Sequence, residues 1–319
     1  MALTLQTAQI LDLSMDAFKV HLPFLTSAFA SDFSGKTGVL GQDCIARIAK
    51  LPTTQDYDAA NGGYANGATA AESLFEDVPV TIDQHKHVPV DLDYLVHEGT
   101  VDEVRLEEAT ANLGYVLAKS IADYCLGLAA SANFSKSTTA ATANVDLDTL
   151  RTVRGEMNKV GANAMGRFGI VNTDVMSSLD SDSRIASGDY HGQRIGGSAI
   201  ASLVNLQGFG NSREYPDMPA NGENITGLFA TPRSIVLATR IPRNNMDLAN
   251  ALGIPQVSGF ETMTDPDSGL TLLGIKWIEQ GTQKVQYTVT LMWGAVAGKQ
   301  GGAAGEKTDY AGHLLKSAA

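Results

Sequence analysis

The sharpest periodicity in the chain lies near its end. Val285, Tyr287, Val289, Leu291, Trp293 and Ala295 alternate with Gln286, Thr288, Thr290 and Met292, the period-two pattern of a strand with one face buried. Residues 270–278 are its expected hairpin partner, with the turn at Gln280-Gly281. A second pattern is helical. Leu106, Thr110, Leu113, Leu117, Ile121, Tyr124 and Leu128 recur at spacings of three and four and draw one stripe along a helix that begins near residues 100–103. Asp102, Glu103, Glu107 and Glu108 fall in its first turns, where the helix dipole favours negative charge. Gly114 is a weak point within it. At about 1.5 Å per residue this helix spans roughly 40 Å, a rod that suits a structural backbone better than a small enzyme.

Extended and irregular segments surround these two elements. Residues 43–51 form an expected strand bounded by Gly41 and Pro52, and residues 78–92 form the next one. Between them, residues 53–73 are rich in Ala, Gly, Asn and Thr, including Asn61-Gly62-Gly63 and Asn66-Gly67, which is turn chemistry. The three pieces read as one long hairpin with a broad tip, and so long a loop is usually functional. Residues 5–30 read as short helices with an arm. Ser14 caps a helix through Ala17, Phe18 and His21 that Pro23 ends, and Phe18, Phe24, Phe29 and Phe33 need a surface to cover them. Residues 131–145 are small and polar, a loop. A helix over 146–160 carries Leu147, Leu150, Val153, Met157 and Val160 on one face, with Gly161 at its C-terminal cap. A strand over 167–171 precedes a short helix from Thr173 or Asp174 to near Leu179, and strand-then-helix signals continue through 199–207 and 231–240. Beyond Gly298 the chain turns Gly/Ala-rich and is expected to be a flexible or partner-dependent tail.

Composition narrows the function classes. The 319 residues suffice for one large or two ordinary domains, and 44% hydrophobic with 18% charged content describes a folded chain. The 32 glycines, many clustered, point to long irregular loops beside the regular elements. The formal net charge is −12 and no dense Lys/Arg run occurs, which argues against a tight grip on nucleic-acid phosphates. Cys44 and Cys125 lie far apart and read as small buried residues in a reducing compartment. No stretch of about 18 apolar residues is present. The N-terminus lacks a basic region, and Asp12 and Asp16 interrupt its apolar run, so neither a membrane span nor a signal peptide is expected and a cytoplasmic product is.

Candidate chemistry is sparse. Asp83, His85, His87 and Asp91 share one face of an expected strand and include metal-ligand types. The opposite face carries Val78, Val80, Ile82, Val88, Val90 and Leu92, so the acids and histidines read as the polar face of a half-buried strand. Residues 161–166 have the glycine spacing of a phosphate loop but continue Arg167-Phe168. Gly35-Lys36-Thr37 has the ending, but Ala30 stands where the earlier glycine belongs. Neither Gly-x-Ser-x-Gly, Cys-x-x-Cys nor His-Glu-x-x-His occurs. His21, His97, His191 and His313 are scattered, and Asp265 and Asp267 flank Pro266 in a turn. No catalytic, cofactor or metal residue is assigned, and no enzyme is expected. Arg233, Arg240 and Arg243 read either as subunit contacts, where Arg pairs with a neighbour's carboxylates, or as a solvated edge.

The order of elements resembles the HK97-fold major capsid proteins of tailed double-stranded DNA phages, and the branch similar to the P22 coat in particular. Residues 43–51, the glycine-rich stretch and Val80 to Val90 look like the family's extended E-loop, and Glu98 to Leu128 is similar to its spine helix. Residues 168–179 resemble the strand and helix that open the axial (A) domain. Residues 199–210, with Met218-Pro219 beyond, resemble its Gly-Phe segment, although Ala201 or Ser202 stands where a glycine is frequent and Gly210 where an apolar residue is usual. Residues 228–238 look like the next A-domain strand, and 270–278 with 284–295 like the return to the peripheral (P) domain. The resemblance implies an α+β fold. Its expected segments are an N-terminal arm (1–35), an E-loop hairpin (36–92), a P domain with the spine helix (93–160), an A domain (161–255), and a return to the P domain with a C-terminal tail (256–319). It implies a shell of pentamers and hexamers enclosing DNA in the virion, assembled in the host cytoplasm, with no cofactor. Its partners would be itself, a separate scaffolding protein and a portal, with a decoration protein as an optional addition. Tyr57 and Tyr64 are the expected anchors at the hairpin tip, because aromatics dominate interface energy. An encapsulin-type cargo shell, told apart by particle contents, and a metal-dependent enzyme on the Asp83/His85/His87/Asp91 face are the alternatives.

Overall fold

The computed structural model describes residues 7–21, 29–49, 57, 75–91, 103–160, 166–186, 208–211, 218–220, 222–232, 234–243, 259–278, 284–298 and 312–318. The expectations for Tyr64, Arg233, Gly161, residues 199–207 and the turn at Gln280-Gly281 lie outside these residues.

Two helices form the rod. Helix α1 (Thr7–His21) packs along α2 (Glu103–Gly127). The predicted stripe is where the core lies: Thr110, Leu113, Leu117 and Ile121 are buried, while Tyr124 and Leu128 pack at its margin. Ala118, Ala122 and Cys125 are buried as well, so the apolar face is wider than one stripe. Ile10, Leu11, Met15 and Phe18 of α1 belong to the same core. Two expectations change here. Ser14 is no cap. It sits in the middle of α1, and its hydroxyl lies 2.8 Å from the Ile10 carbonyl and 3.1 Å from the Thr110 carbonyl of α2. Gly114 is no weak point. A Cβ there would stand 1.9 Å from the Ser14 carbonyl oxygen, so glycine lets the two helices touch backbone to backbone.

The larger sheet holds six strands, β1 (Ala30–Gly38), β4 (Gln84–Asp91), β9 (Ile235–Pro242), β10 (Gly259–Thr264), β11 (Thr271–Ile278) and β12 (Val285–Ala297). Strand β12 is its axis. One edge pairs antiparallel with β4 over Gln286–Trp293. The other pairs antiparallel with β11 over Val285–Thr290 and then with β9 over Met292–Ala297. The hairpin of β11 and β12 is as expected. The half-buried character is not: Thr288, Thr290 and Met292 are buried as fully as Tyr287, Val289, Leu291 and Trp293. The second face is covered because a two-stranded hairpin, β2 (Asp43–Ala49) with β3 (Phe75–Thr81), lies over Met292.

The smaller sheet has the order β5 (Ser137–Ala140), β13 (Gly312–Ser317), β8 (Ile225–Ala230), β6 (Phe168–Val171) and β7 (Gly208–Asn211). Helices α3 (Leu147–Lys159), α4 (Thr173–Ser181) and α5 (Ser183–Ala186) build a second core with it, through Leu147, Leu150, Val153, Val175, Leu179 and Leu315. Asp146 caps α3 by accepting from the Thr149 amide at 2.9 Å, the standard gain of an N-cap. Three strand-level expectations are corrected. Residues 131–145 hold β5 and a 3₁₀ turn over Thr142–Asn144. Residues 228–238 are two strands of different sheets, divided where the Ser234 amide donates to Thr231. The supposed tail ends in β13, with His313, Leu314 and Leu315 buried. The larger core spans both sheets: it includes Tyr287, Leu291 and Trp293 of one and Phe168, Ile170, Leu228 and Leu314 of the other. Phe29 meets Phe168 edge-on across it, with ring centroids 5.5 Å apart.

Candidate assembly interface

The hairpin of β2 and β3 lies over the larger sheet, and the sequence between its two strands, Tyr57 apart, falls outside the described residues. Residues 78–92 do not form one strand. The chain pairs with β2 as far as Thr81, passes through Ile82 and Asp83, and re-enters the larger sheet as β4. Alternation then explains its two faces. Cys44, Ala46, Ile48, Val80 and Ile82 point inward onto Val236, Ala238 and Met292. Asp43, Ile45, Arg47 and Asp77 point outward. The Arg47–Asp77 pair, 3.2 Å apart, is more than half exposed on both sides, so it adds about 0–1 kcal/mol.

Backbone contacts hold the base of the hairpin. Gly41, at φ 86°, turns the chain from β1 into β2, and its amide donates to the Ile82 carbonyl at 2.7 Å. The Ile82 amide donates to the Gln42 carbonyl at 2.9 Å. Below, a Cβ on Gly294 would stand 1.9 Å from the Thr81 carbonyl oxygen. A glycine inside an otherwise alternating strand signals such a close approach. That signal is present in the sequence at Gly294. The hydroxyl of Tyr124 on α2 donates to Asp83 Oδ2 at 2.6 Å. Burial, and then the Asp83 carboxylate that accepts this bond, hold the Tyr124 phenol well above the ordinary tyrosine range. The hairpin is thus tied at its root to both the sheet and the rod.

The four residues of the acid–histidine face are separated by this arrangement. Asp83 is bound by Tyr124, and His85 Nε2 lies 3.1 Å from Thr290 Oγ1. Burial, and then the neighbouring His87, lower the His85 pKa. Asp91 pairs with Lys284 at 2.9 Å. Among the described residues no three His, Cys, Asp or Glu side chains converge as metal ligands. Lys86, on the other face of β4, reaches Ser120 Oγ at 2.7 Å and lies 5.8 Å from the centroid of the Trp293 ring.

Of the expected contact residues, Tyr57 is 61% exposed and Arg243 is exposed. Arg240 is buried, and its guanidinium donates to the Thr239 carbonyl at 2.7 Å. It therefore serves its own chain, which departs from the expectation of a neighbour-facing arginine. The alternation of β9 next to β1 places it there: Gly38 leaves room for its side chain. Exposed apolar groups missed by the sequence reading are Val39 and Leu40 in the turn before β2, Ile45 on the outer face of the hairpin, and Tyr115 and Val116 on the outer face of α2. Tyr115 and Val116 fall between the stripe positions, which is the one sign of them in the sequence.

No family model matches the chain, and no curated protein does. Solved structures do. The capsid structure of the cyanophage P-SCSP1u aligns over 92% of this chain and 90% of its own, with a TM-score of 0.50 at 14% identity. The mature capsid of bacteriophage PhiM1 aligns over 92% and 86% with a TM-score of 0.49 at 13% identity. The capsid of Ralstonia phage GP4 aligns over 91% and 89% with a TM-score of 0.49 at 13% identity. At such identities the likeness is one of fold.

Proposed function

The chain has the α+β, HK97-like fold of phage capsid subunits, and we propose that it is the major capsid protein of a tailed double-stranded DNA phage. On this proposal it tiles as pentamers and hexamers into an icosahedral shell and performs no catalysis. The observation that carries the reading is the hairpin. It is seated on the sheet, joined at its root to the rod, and turns Ile45 outward. Val39, Leu40 and Tyr57 near it, and Tyr115 and Val116 on α2, are exposed apolar groups of the kind that mark contact surfaces. In an assembly the hairpin of one copy covers such a surface on the next. Many modest contacts then add through closed symmetry. On this proposal the hairpin of β2 and β3 corresponds to the E-loop, the larger sheet with α1 and α2 to the P domain, and the smaller sheet with α3 and α4 to the A domain, so the segments expected at 1–35, 36–92, 93–160, 161–255 and 256–319 are redrawn: α1, β4 and β9 go with the P domain, and α3, β5 and β13 with the A domain. Tyr57, Tyr64, Arg233 and Arg243 are the proposed contacts.

A separate scaffolding protein and a portal complete the shell, with a decoration protein as an optional addition. The net charge of −12 suits a wall that encloses DNA without gripping it. The virion is the proposed location, after assembly in the host cytoplasm. Electron microscopy of the chain expressed with its scaffold tests the reading. Closed shells are expected, and deletion of residues 56–70 should leave a folded subunit that forms none. A strictly monomeric product under every assembly condition, or normal shells from the deletion, would overturn it.

A further inference from the structure

The last strand of the chain is built like a bound peptide. Strand β13 lies inside the smaller sheet, antiparallel to β8 from Gly312 opposite Ala230 to Lys316 opposite Ile225. It is parallel to β5 from Leu314 opposite Ser137 to Ser317 opposite Ala140. Among the described residues β13 is the one strand that pairs with β5. Its side chains fill both faces. Leu314 enters the core shared with Phe168 and Leu228, and Leu315 enters the core under α3 and α4. Its polar groups meet partners from distant parts of the chain. His313 Nε2 lies 2.8 Å from Thr138 Oγ1, and Ser317 Oγ lies 3.1 Å from Thr142 Oγ1. Lys316 pairs with Glu223 at 2.8 Å, while Ser131 donates to the same carboxylate through its amide and its hydroxyl. Gly312 sits where a Cβ would meet the Phe134 ring at 2.9 Å.

We infer that the slot between β5 and β8 is a peptide-binding site for a strand of the pattern small-His-Leu-Leu-Lys-Ser, and that a second copy of this chain can supply the strand. Two observations support a separable ligand. The strand reaches the slot from the other sheet, since β12 ends at Ala297 and β13 begins at Gly312. The intervening sequence contains Gly298, Gly301, Gly302 and Gly305, and a stretch of that length spans up to about 45–50 Å when extended, enough to reach an adjoining subunit. Among the described residues, the contacts that seat the strand come from groups outside that intervening sequence: β5, β8, Ser131, Phe134 and Glu223 keep the same chemistry whichever copy provides the ligand. Exchange of an identical element between copies is a low-cost route to association.

Cysteine pairing in the full chain tests this. Thr139 and Lys316 are register partners, so a chain carrying both Thr139→Cys and Lys316→Cys should link internally on oxidation. Chains carrying Thr139→Cys alone, incubated with chains carrying Lys316→Cys alone, should give linked dimers at least tenfold above the background of a Thr139→Cys and Arg151→Cys mixture. Hydrogen exchange on the unmodified chain is the second measurement. Amides of β13 should exchange at least tenfold faster than those of β6, because departure of the strand frees β5 but leaves the pairing of β8, β6 and β7 in place. Internal linkage with no linkage above background in the mixture, or equal exchange in β13 and β6, would overturn the inference.

Discussion

Replacing Gly294 by alanine strikes the junction between hairpin and body. The added Cβ would lie 1.9 Å from the Thr81 carbonyl oxygen, 2.7 Å from its carbon and 3.1 Å from the Ile82 Cα. All three are backbone atoms, so no side-chain rotation relieves the overlap. Ordinary contact for carbon begins near 3.5 Å, so the root of the hairpin must lift by roughly 1.5 Å or β12 must bend by as much. Lifting opens the seam between Cys44, Ala46, Ile48, Val80 and Ile82 on one side and Val236, Ala238 and Met292 on the other. Overpacking of this kind costs about 1–3 kcal/mol, and the rigid backbone neighbours place the expected value near the top of that range. The control is Gly155→Ala, in an α3 position where nothing lies within 4 Å. It removes a helix-interior glycine and should stabilise by about 0.5–1 kcal/mol. Urea unfolding of the purified subunit reads both changes as opposite shifts of the midpoint, and limited proteolysis reads loosening of the hairpin. An unchanged midpoint and unchanged hairpin protection for Gly294→Ala would refute the claim that this glycine is the seat of the hairpin.

Gly114→Ala should be similarly costly, since its Cβ would meet the Ser14 carbonyl at 1.9 Å. Ser14→Ala, which removes one hydroxyl from the same crossing, should cost only about 1 kcal/mol by thermal unfolding. Acid should weaken the fold through Asp182, whose carboxyl is held at about 2 by Arg184 and by the Leu147 and Arg184 amides. Its folded pKa lies below the unfolded value of about 4, so its contribution is full above that pH and is lost as pH falls from about 4 through 2. Asp182→Asn should flatten this limb of the stability profile. His313 is buried, and burial lowers its pKa against the smaller opposing pull of Glu156. The unfolded chain therefore takes up the proton first, and stability should fall as pH drops below about 6.5. His313→Gln should make that slope shallower, the remainder coming from His85, whose pKa is also lowered, measured by urea midpoints between pH 5 and 7.

The parts of the fold legible in the sequence are those governed by local periodicity. The stripe from Thr110 to Leu128 required a helix, and the α2 boundary lies at Glu103 as the acidic first turns indicate. The alternation over 285–295 required a strand, and Asp146 before Leu147 marked a helix start that is present. What was missed depended on partners remote in the chain. Ser14 looks like a cap until α2 is placed beside it, and Arg240 looks like a surface charge until β1 covers it.

The chain alone thus determined the long helix of the rod, the helix after Asp146, the hairpin of β11 and β12, that no motif of catalysis stands out, and the order of elements of a capsid-like fold. Tertiary structure decided the rest. It split residues 78–92 into a strand of the hairpin and a strand of the body, buried both faces of β12, and drew the C-terminal strand into the centre of a sheet. The reason is physical. Periodicity records which face of an element is apolar, whereas the identity of what covers that face, and the glycines at which two backbones must meet, follow from contacts between segments tens to hundreds of residues apart.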